Sequence, residues 1–380
     1  MKKRRMRNGV RWLALGAAAV LNGCGGGFFV DTKSTTTTGS STGDYVYVVN
    51  QTTDTLSEFV VGAGKLTTVS SSPISLVAGL APTSVAVSRL NSFVFVGGNG
   101  AISSYSIGTG GALTIVDGGG AAATANFVSL ETSPDGQWLL GLDSLTQLIY
   151  VFKINSATGA LTLNSTAAYT APGSGTVAQR SIRLSPNAAF VAAALGPGGD
   201  VLFAFNTSTG LLTQTAGVQL LAGFQDNSVV FDTTSTHLFA ARYGGTNGSG
   251  GVSSYSVNSA GLLTAKQTLA AGGNAPYGLL LDGTGAYLYA ANRGDGTISG
   301  YSVTAGNLTA LASSPFPAGS SPIALAEDNS KKYVIGVAAG GAADVTLYAY
   351  DAVTNGKLDA VGTIASGTAP AGAVAVAATH

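Results

Sequence analysis

The chain has 380 residues, of which 45% are hydrophobic and only 9% are charged, against roughly 25% charged residues in an ordinary globular protein. Six of its 18 basic residues lie in the first eleven positions, so the rest of the chain is net acidic; with no basic patch, it is not expected to bind nucleic acid. A single cysteine excludes an internal disulfide, so packing must stabilise the fold.

The N-terminal segment has the features of an export signal. After the basic residues, positions 12–21 form an apolar run that is shorter than the about 20 residues a membrane-spanning helix needs. The sequence Leu21-Asn22-Gly23-Cys24 resembles a bacterial lipobox, in which the cysteine is acylated and becomes the new N-terminus. We therefore predict a lipoprotein signal peptide over residues 1–23 and lipidation at Cys24. The alternative is a plain secreted protein with an incidental free cysteine.

Residues 24–43 are rich in Gly, Ser and Thr, a composition typical of a flexible linker. Acyl chains on Cys24 would anchor the protein in a lipid bilayer, because each buried methylene contributes about 0.8 kcal/mol. No Asp follows Cys24, which by resemblance to enterobacterial sorting rules indicates the outer membrane. We expect a monomeric, lipid-anchored protein of the bacterial cell envelope, at the outer membrane or the cell surface.

Residues 44–380 contain a sevenfold repeat. In each copy an aromatic residue is followed, five to seven residues later, by Gly-x-Leu-Thr or a close variant, and successive glycines are 45 to 51 residues apart. A repeat of this length with β-type sequence is typical of a propeller. The aromatic and glycine pairs are Phe59 and Gly64, Tyr105 and Gly111, Phe152 and Gly159, Phe205 and Gly210, Tyr255 and Gly261, Tyr301 and Gly306, and Tyr350 and Gly356.

One complete unit of the repeat spans residues 276–312. Residues 276–282, 287–292 and 297–303 have the apolar runs or alternation of three strands, which we call A, B and C, and a fourth strand D follows Gly306. Four antiparallel strands per unit make the blade of a propeller. The sequence therefore predicts an all-β fold built of four-stranded blades.

The two ends of the repeat region predict how the ring closes. The chain enters at a B strand, residues 45–50, without an A strand before it, and it leaves at an A strand, residues 371–377, with nothing after it. Pairing the two fragments completes a seventh blade and removes two exposed sheet edges. We therefore predict a seven-bladed propeller in which the C-terminal strand joins the N-terminal blade. Deletion of the last dozen residues is expected to open the ring.

Several motifs recur in register around the predicted ring. They include Leu288-Tyr289-x-x-Asn292, Ile298-Ser299-x-Tyr301-Ser302-Val303, the Gly-x-Leu-Thr turn and Ser133-Pro134-Asp135-Gly136. Over residues 45–377 this pattern resembles the seven-bladed lactonase and YVTN-type propellers, a group that includes a bacterial 6-phosphogluconolactonase and fungal muconate-lactonising enzymes. The resemblance implies the propeller fold and, for an active member, lactone chemistry.

The catalytic neighbourhood of that family is only partly present. Lactonase-like members carry Gly-Pro-Arg-His at the head of one A strand and Asn-Glu after the next B strand. Here the matching Ala178-Gln179-Arg180-Ser181 keeps the arginine without the histidine, and Ala193-Ala194-Leu195-Gly196 lacks the acid. Asn126 lies where another histidine is usual. The loss of these acid–base groups argues against the family's hydrolytic chemistry.

The D–A and B–C loops share one rim of a propeller, so polar side chains there are expected to face the central funnel. Arg180 is suited to bind a carboxylate or phosphate through two hydrogen bonds, and its alternative role is an ion pair with Asp226. His237 and His380 have no partners at metal-ligand spacing, so neither a metal nor a cofactor is expected. The ligand-binding candidates are Asn126, Asp143, Arg180, Arg242 and Arg293.

Two hypotheses for function follow. The first is an exported propeller that binds a protein, a glycan or a small ligand at its loop face without lactonase chemistry. The alternative is a lactonase-type hydrolase with a rearranged site that uses Arg180, Asp226 and Glu131. Turnover of a lactone that is abolished by Arg180→Ala would favour the alternative.

Overall fold

A computed structural model describes residues 43–116, 121–244, 250–270, 273–367 and 372–380. The predicted signal peptide, Cys24 and nearly all of the predicted linker lie outside these residues. The described residues belong to one unit, Thr38–His380. No helix within them has the length and apolar character needed to cross a membrane.

Antiparallel strands account for most of the described part of this unit, and a short 3-10 helix is formed by Thr109–Gly111. The strands, in chain order, are β1 (Tyr45–Asn50), β2 (Thr55–Gly62), β3 (Lys65–Thr68), β4 (Ile74–Ser75), β5 (Ser84–Val87), β6 (Phe93–Gly97), β7 (Asn99–Ile107), β8 (Leu113–Ile115), β9 (Ala121–Thr132), β10 (Trp138–Asp143), β11 (Leu148–Ile154), β12 (Leu161–Ala168), β13 (Ser181–Leu184), β14 (Phe190–Ala194), β15 (Asp200–Asn206), β16 (Leu211–Val218), β17 (Phe224–Phe231), β18 (His237–Gly244), β19 (Gly251–Val257), β20 (Leu263–Ala270), β21 (Pro276–Leu281), β22 (Tyr287–Asn292), β23 (Thr297–Thr304), β24 (Asn307–Ala310), β25 (Phe316–Pro317), β26 (Ser320–Glu327), β27 (Tyr333–Gly340), β28 (Val345–Tyr350), β29 (Leu358–Ile364) and β30 (Ala373–Ala378).

The strands form seven blades of four, as the repeat predicted. Blade 1 consists of β30, β1, β2 and β3, and blades 2 to 5 follow as β5–β8, β9–β12, β13–β16 and β17–β20. Blades 6 and 7 are β21–β24 and β26–β29, while the two-residue strands β4 and β25 add to the third strands of blades 1 and 6. The predicted A and B strands are thus the two inner strands of each blade.

The ring closes through the C-terminal strand. β30 pairs antiparallel with β1, with Tyr47 opposite Ala377 and Val48 opposite Val376. Each innermost strand also contacts the innermost strand of the next blade, and β30 contacts both β26 and β5. The predicted closure of blade 1 by the two ends of the repeat region is therefore confirmed.

One blade boundary differs from the regular pattern. β9 is longer than the predicted A strand: its first residues pair with β7, with Ala101 opposite Ala122, and its later residues pair with β10, with Leu140 opposite Glu131. Between these two pairings the sequence contains no Gly or Pro to interrupt the strand. As a result, blades 2 and 3 form one continuous sheet.

The repeat glycine has a structural reason that the sequence alone does not reveal. In six of the seven copies it packs against the residue that begins the B strand of the preceding blade, and a Cβ atom added to the glycine would lie within 3.0 Å of that side chain. All of these glycines also have positive φ, which other residues adopt at a cost. The contacting pairs are Gly111 and Tyr45, Gly159 and Phe93, Gly210 and Trp138, Gly261 and Phe190, Gly306 and His237, and Gly356 and Tyr287.

We expect Gly210→Ala to lower the free energy of unfolding by about 3 kcal/mol, since it combines left-handed backbone strain with overpacking. The added Cβ would lie 2.6 Å from Trp138 Cζ3, and Trp138 is held by a hydrogen bond to the Thr207 carbonyl. Gly64→Ala is the matched control, because Gly64 has a similar φ of 74° and no atom near the added Cβ. Denaturant unfolding of both variants measures the difference; equal losses would contradict a role for the blade-to-blade contact.

Candidate functional site

The innermost strands of the blades surround an axial cavity of ≈330 Å³, which we call the funnel. Each blade contributes at least one residue from its innermost strand or from the position just before it. The lining residues therefore come from all seven blades, as expected for the central site of a propeller. One such residue from each blade is Thr83, Val128, Ser181, Asn227, Gly278, Ile323 and Val374.

Two arginines and one tyrosine dominate one side of the funnel. Arg180 and Arg293 both approach Tyr277, and their guanidinium carbons are 6.0 Å and 5.3 Å from the centre of its ring. These distances suit cation–π contacts. Both arginines are ligand-binding candidates predicted from the sequence, and the structure brings them together at the funnel. Tyr277 was not among the predicted residues, and its only signal is an aromatic residue at the head of an A strand.

Backbone geometry explains why the two arginines share a rim. Arg180 comes just before β13, and its backbone N–H donates to the Ala194 carbonyl at 2.9 Å. Arg293 comes just after β22, and its N–H donates to the Ala275 carbonyl at 2.9 Å. The start of an A strand and the end of a B strand lie at the same end of a blade, because the two strands are antiparallel.

The funnel is positively charged, and its arginines have hydrogen-bond donors without a partner among the described residues. Within the described part of the chain neither Arg180 nor Arg293 forms an ion pair, and Arg180 Nε is buried without a hydrogen-bond partner. No carboxylate or histidine from the described residues lines the funnel. Asn227 adds a buried amide oxygen without a partner, while its Nδ2 donates to the Pro276 carbonyl at 3.0 Å. Unpaired guanidinium donors can bind a carboxylate or a phosphate.

Arg242 and Asp226 lie elsewhere, in a buried ion pair between β17 and β18. Arg242 Nε and Nη2 donate to the two carboxylate oxygens of Asp226 at 2.8 Å and 2.7 Å, and Nη2 also donates to the Tyr255 hydroxyl at 2.7 Å. Although burial opposes it, the bond to Asp226 raises the pKa of Arg242. The Asp226 side chain is fully buried. The cation beside Asp226 is therefore Arg242 and not Arg180.

Asp143 and Asn126 organise the B–C loop of blade 3. Asp143 Oδ1 accepts the backbone N–H groups of Asn126 and Leu145 at 2.5 Å and 2.9 Å, and Oδ2 accepts that of Thr146 at 2.7 Å. Despite the opposing effect of burial, these hydrogen bonds lower the pKa of Asp143. The Asn126 side chain donates to Ser144 Oγ at 3.0 Å. Neither residue is among those that line the funnel.

Glu131 lies further along the axis. Its carboxylate accepts a hydrogen bond from Arg183 Nη1 at 3.2 Å. Burial raises the pKa of Glu131, and the neighbouring Arg183 opposes this shift. Arg183 lines both the funnel and a second axial cavity of ≈540 Å³, which we call the opposite cavity and which also contains Arg89 and Lys331. The three catalytic candidates Arg180, Asp226 and Glu131 therefore do not converge on one point.

No group of His, Cys, Asp and Glu in the described ranges is arranged to hold a metal ion. The arrangement instead defines a class: a seven-bladed propeller with a positively charged axial funnel. Residues 233–375 match the family model described as "Lactonase, 7-bladed beta-propeller". Over these residues the chain is similar to the lactonase-type propellers, the family that its motifs predicted. No curated protein matches it.

Solved structures extend the fold similarity to most of the chain. A candidate 6-phosphogluconolactonase from Bacteroides fragilis is 17% identical with a TM-score of 0.70, over 90% of this chain and 99% of that one. The Pseudomonas aeruginosa periplasmic gluconolactonase PpgL is 16% identical with a TM-score of 0.70, over 89% of this chain and 99% of that one. At this identity the similarity shows the fold alone.

Proposed function

We propose that this protein binds a small anionic ligand, with a carboxylate or phosphate group, in the funnel, and that it does so without the hydrolytic chemistry of its family. The observation that carries the proposal is the pair of arginines that both approach Tyr277 and have no acidic partner among the described residues. Desolvating a guanidinium group without a partner is costly, so a bound anion would satisfy Arg180.

The lining of the funnel supports binding over catalysis. Hydrolysis of a lactone needs a group that activates water and a group that protonates the leaving oxygen. Among the described residues of the funnel the titratable groups are arginines and Tyr277. Glu131, a catalytic candidate with a carboxyl group, is already paired with Arg183.

We also propose that the protein acts at the cell envelope, where acylated Cys24 anchors it and residues 24–43 form the tether. This proposal is supported by the N-terminal sequence. The name of the Pseudomonas aeruginosa neighbour places that protein in the periplasm, which is compatible with export. Incorporation of a labelled fatty acid by the native protein, and its loss in Cys24→Ala, is the corresponding test.

Binding is tested by calorimetry with inorganic phosphate, gluconate and 6-phosphogluconate. We expect Arg180→Ala and Arg293→Ala each to weaken binding of the preferred anion by about 10- to 100-fold, the value of one or two charge-assisted hydrogen bonds. Arg89→Ala is the matched control, because Arg89 is an exposed arginine of the opposite cavity. Equal affinity in the wild type and in both funnel variants would refute the site.

A lactonase remains the second candidate, and the family model is the observation that favours it. The same variants separate the two functions when they are incubated with δ-lactones of sugar acids. Turnover by the wild-type protein that is lost in Arg180→Ala but kept in Arg89→Ala would replace the binding proposal with catalysis. Anion binding without lactone turnover is the result that we expect.

A further inference from the structure

A second carboxyl group lies beside the ion pair of Asp226 and Arg242, at the seam between blades 4 and 5. Asp200 begins β15 of blade 4, directly opposite Ala194. Asp226 lies in β17 of blade 5, and the seam is closed there by Gly196, which exchanges backbone hydrogen bonds of 3.2 Å and 3.3 Å with Asp226. Asp200 and Asp226 are both fully buried.

The two carboxyl groups at this seam differ in the hydrogen bonds that they accept. Both oxygens of Asp226 accept bonds from Arg242, whereas neither oxygen of Asp200 has a hydrogen-bond partner in the described part of the chain. Burial, and then the charge and the hydrogen-bonding contact of Asp226, raise the pKa of Asp200, so the two carboxyl groups face each other across the seam. Two ionised carboxylates are both acceptors, so this contact is a hydrogen bond only if one of them carries a proton.

The charges around Asp200 lead to the same conclusion. The groups that face it are Asp226 from β17, Arg242 from β18 and Tyr255 from β19. One cation is therefore available for two carboxyl groups. Two negative charges at close range in a buried site repel strongly, and only one is balanced by Arg242.

We propose that Asp200 and Asp226 share one proton, so that the dyad carries a single negative charge balanced by Arg242. Loss of that proton as the pH rises then destabilises the seam between blades 4 and 5. The seam is in this way a pH-sensitive joint of the ring, built from groups that the anion-binding proposal does not use.

The direction of the pH dependence follows from linkage. Burial, and then the charge and hydrogen bond of Asp226, hold the pKa of Asp200 well above its usual value, while Arg242 opposes the shift. A raised pKa means that the folded state binds the proton more tightly than the unfolded chain does. The stabilisation is complete below the unfolded pKa and is lost progressively as the pH rises through the folded pKa.

Asp200→Asn tests the shared proton, because its amide has the same shape and can donate to Asp226 permanently. We expect the unfolding temperature of the wild-type protein to fall by a few degrees from mildly acid to mildly alkaline pH. That of Asp200→Asn should stay level over the same range and exceed the wild type at the alkaline end. Parallel curves for the two proteins would overturn the proposal.

Asp344→Asn is the matched control. Asp344 is equally buried, but its oxygens accept hydrogen bonds from the backbone N–H and the hydroxyl of Ser366. The same substitution there removes a carboxylate that has donors, so it should lower the unfolding temperature across the whole range. A rise at alkaline pH like that expected of Asp200→Asn would overturn the assignment to the dyad.

The shared proton can also be tested in the wild-type protein, so that the result does not depend on whether the variants fold. Carbon-13 labelling of aspartate carboxyl groups allows their protonation to be followed by NMR. We expect one buried aspartate carboxyl to stay protonated at neutral pH and to ionise on the alkaline side. A spectrum in which every aspartate is already ionised at neutral pH would overturn the shared proton.

Discussion

Removal of residues 373–380 is expected to abolish cooperative folding of the propeller. β30 is the innermost strand of blade 1 and forms five residue pairs with β1. At about 1 kcal/mol for each backbone hydrogen bond, the ladder alone contributes roughly 5 kcal/mol, which is comparable to the whole stability of many domains. The truncated chain should bind a hydrophobic dye and show no sharp thermal transition.

The loss extends beyond the ladder because β30 joins two blades. Ala373 and Ala378 pack in one cluster with Val46 and Val48 of blade 1 and with Ile335 of blade 7. Without the strand, the apolar face of β1 and the edge of the ring both meet water. Every other blade is completed by consecutive strands of the chain, so this is the joint where a short truncation does most damage.

Two controls make the truncation informative. Deletion of His380 alone removes its reciprocal hydrogen bonds with Asn91, of 3.0 Å and 2.7 Å, but keeps β30, and should leave a cooperative transition. A synthetic peptide of residues 372–380 added to the truncated chain should restore that transition in part. A truncated protein with the melting temperature of the full chain would contradict closure of the ring through β30.

The seven blades could be predicted because the repeated residues are the ones that the fold itself requires. A turn glycine with positive φ, a C-strand aromatic residue and a hairpin turn are local features, and each leaves a mark in the sequence at a fixed spacing. The partners of the glycine could not be predicted in this way. Gly210 packs on Trp138 of the blade before it, a contact that depends on how neighbouring blades stack.

The funnel could be predicted only in part. The positions of Arg180 and Arg293 at one rim follow from strand order, but the contact that both make with Tyr277 depends on side-chain directions in two different blades. Asp200 gave no signal at all, because it begins a C strand and meets its partner across a blade seam. That neither of its oxygens meets a donor among the described residues is visible only in three dimensions.

The partner of Asp226 was missed for a specific reason. Asp226 lies directly opposite Arg242, and the register of the hairpin between β17 and β18 shifts between Asp226 and Ser228. Without that bulge, a regular hairpin continued from the pair of Val229 and Ala240 would place Tyr243 opposite Asp226. A β-bulge changes which side chains face each other, and nothing in the sequence marks its position here.

The second large effect is expected from Arg242→Ala, which should lower the free energy of unfolding by about 3–5 kcal/mol at neutral pH. Removing one member of a buried ion pair leaves the other charge without compensation. Asp226 would keep no charged donor, and the Tyr255 hydroxyl would lose its bond from Arg242 as well. Denaturant unfolding of the full chain measures this loss.

The pH dependence of that loss identifies its cause. Without Arg242, the uncompensated negative charge at the buried seam is removed when the carboxyl groups there take up a further proton, and a low pH favours that uptake. The deficit of Arg242→Ala relative to the wild type should therefore shrink as the pH falls. A deficit that is independent of pH would indicate lost packing of the side chain instead of an uncompensated charge.

Two further arginine variants separate charge from geometry. Arg242→Lys keeps the charge but lacks the planar fork that holds both oxygens of Asp226, so its stability should lie between those of the wild type and Arg242→Ala. Arg180→Ala removes an arginine without an acidic partner among the described residues and should change the free energy of unfolding by no more than about 0.5 kcal/mol. If Arg180→Ala lowers the free energy of unfolding as much as Arg242→Ala does, the assignment of Arg180 to ligand binding and Arg242 to stability is wrong. We expect Arg242→Ala to lose stability and Arg180→Ala to lose anion affinity.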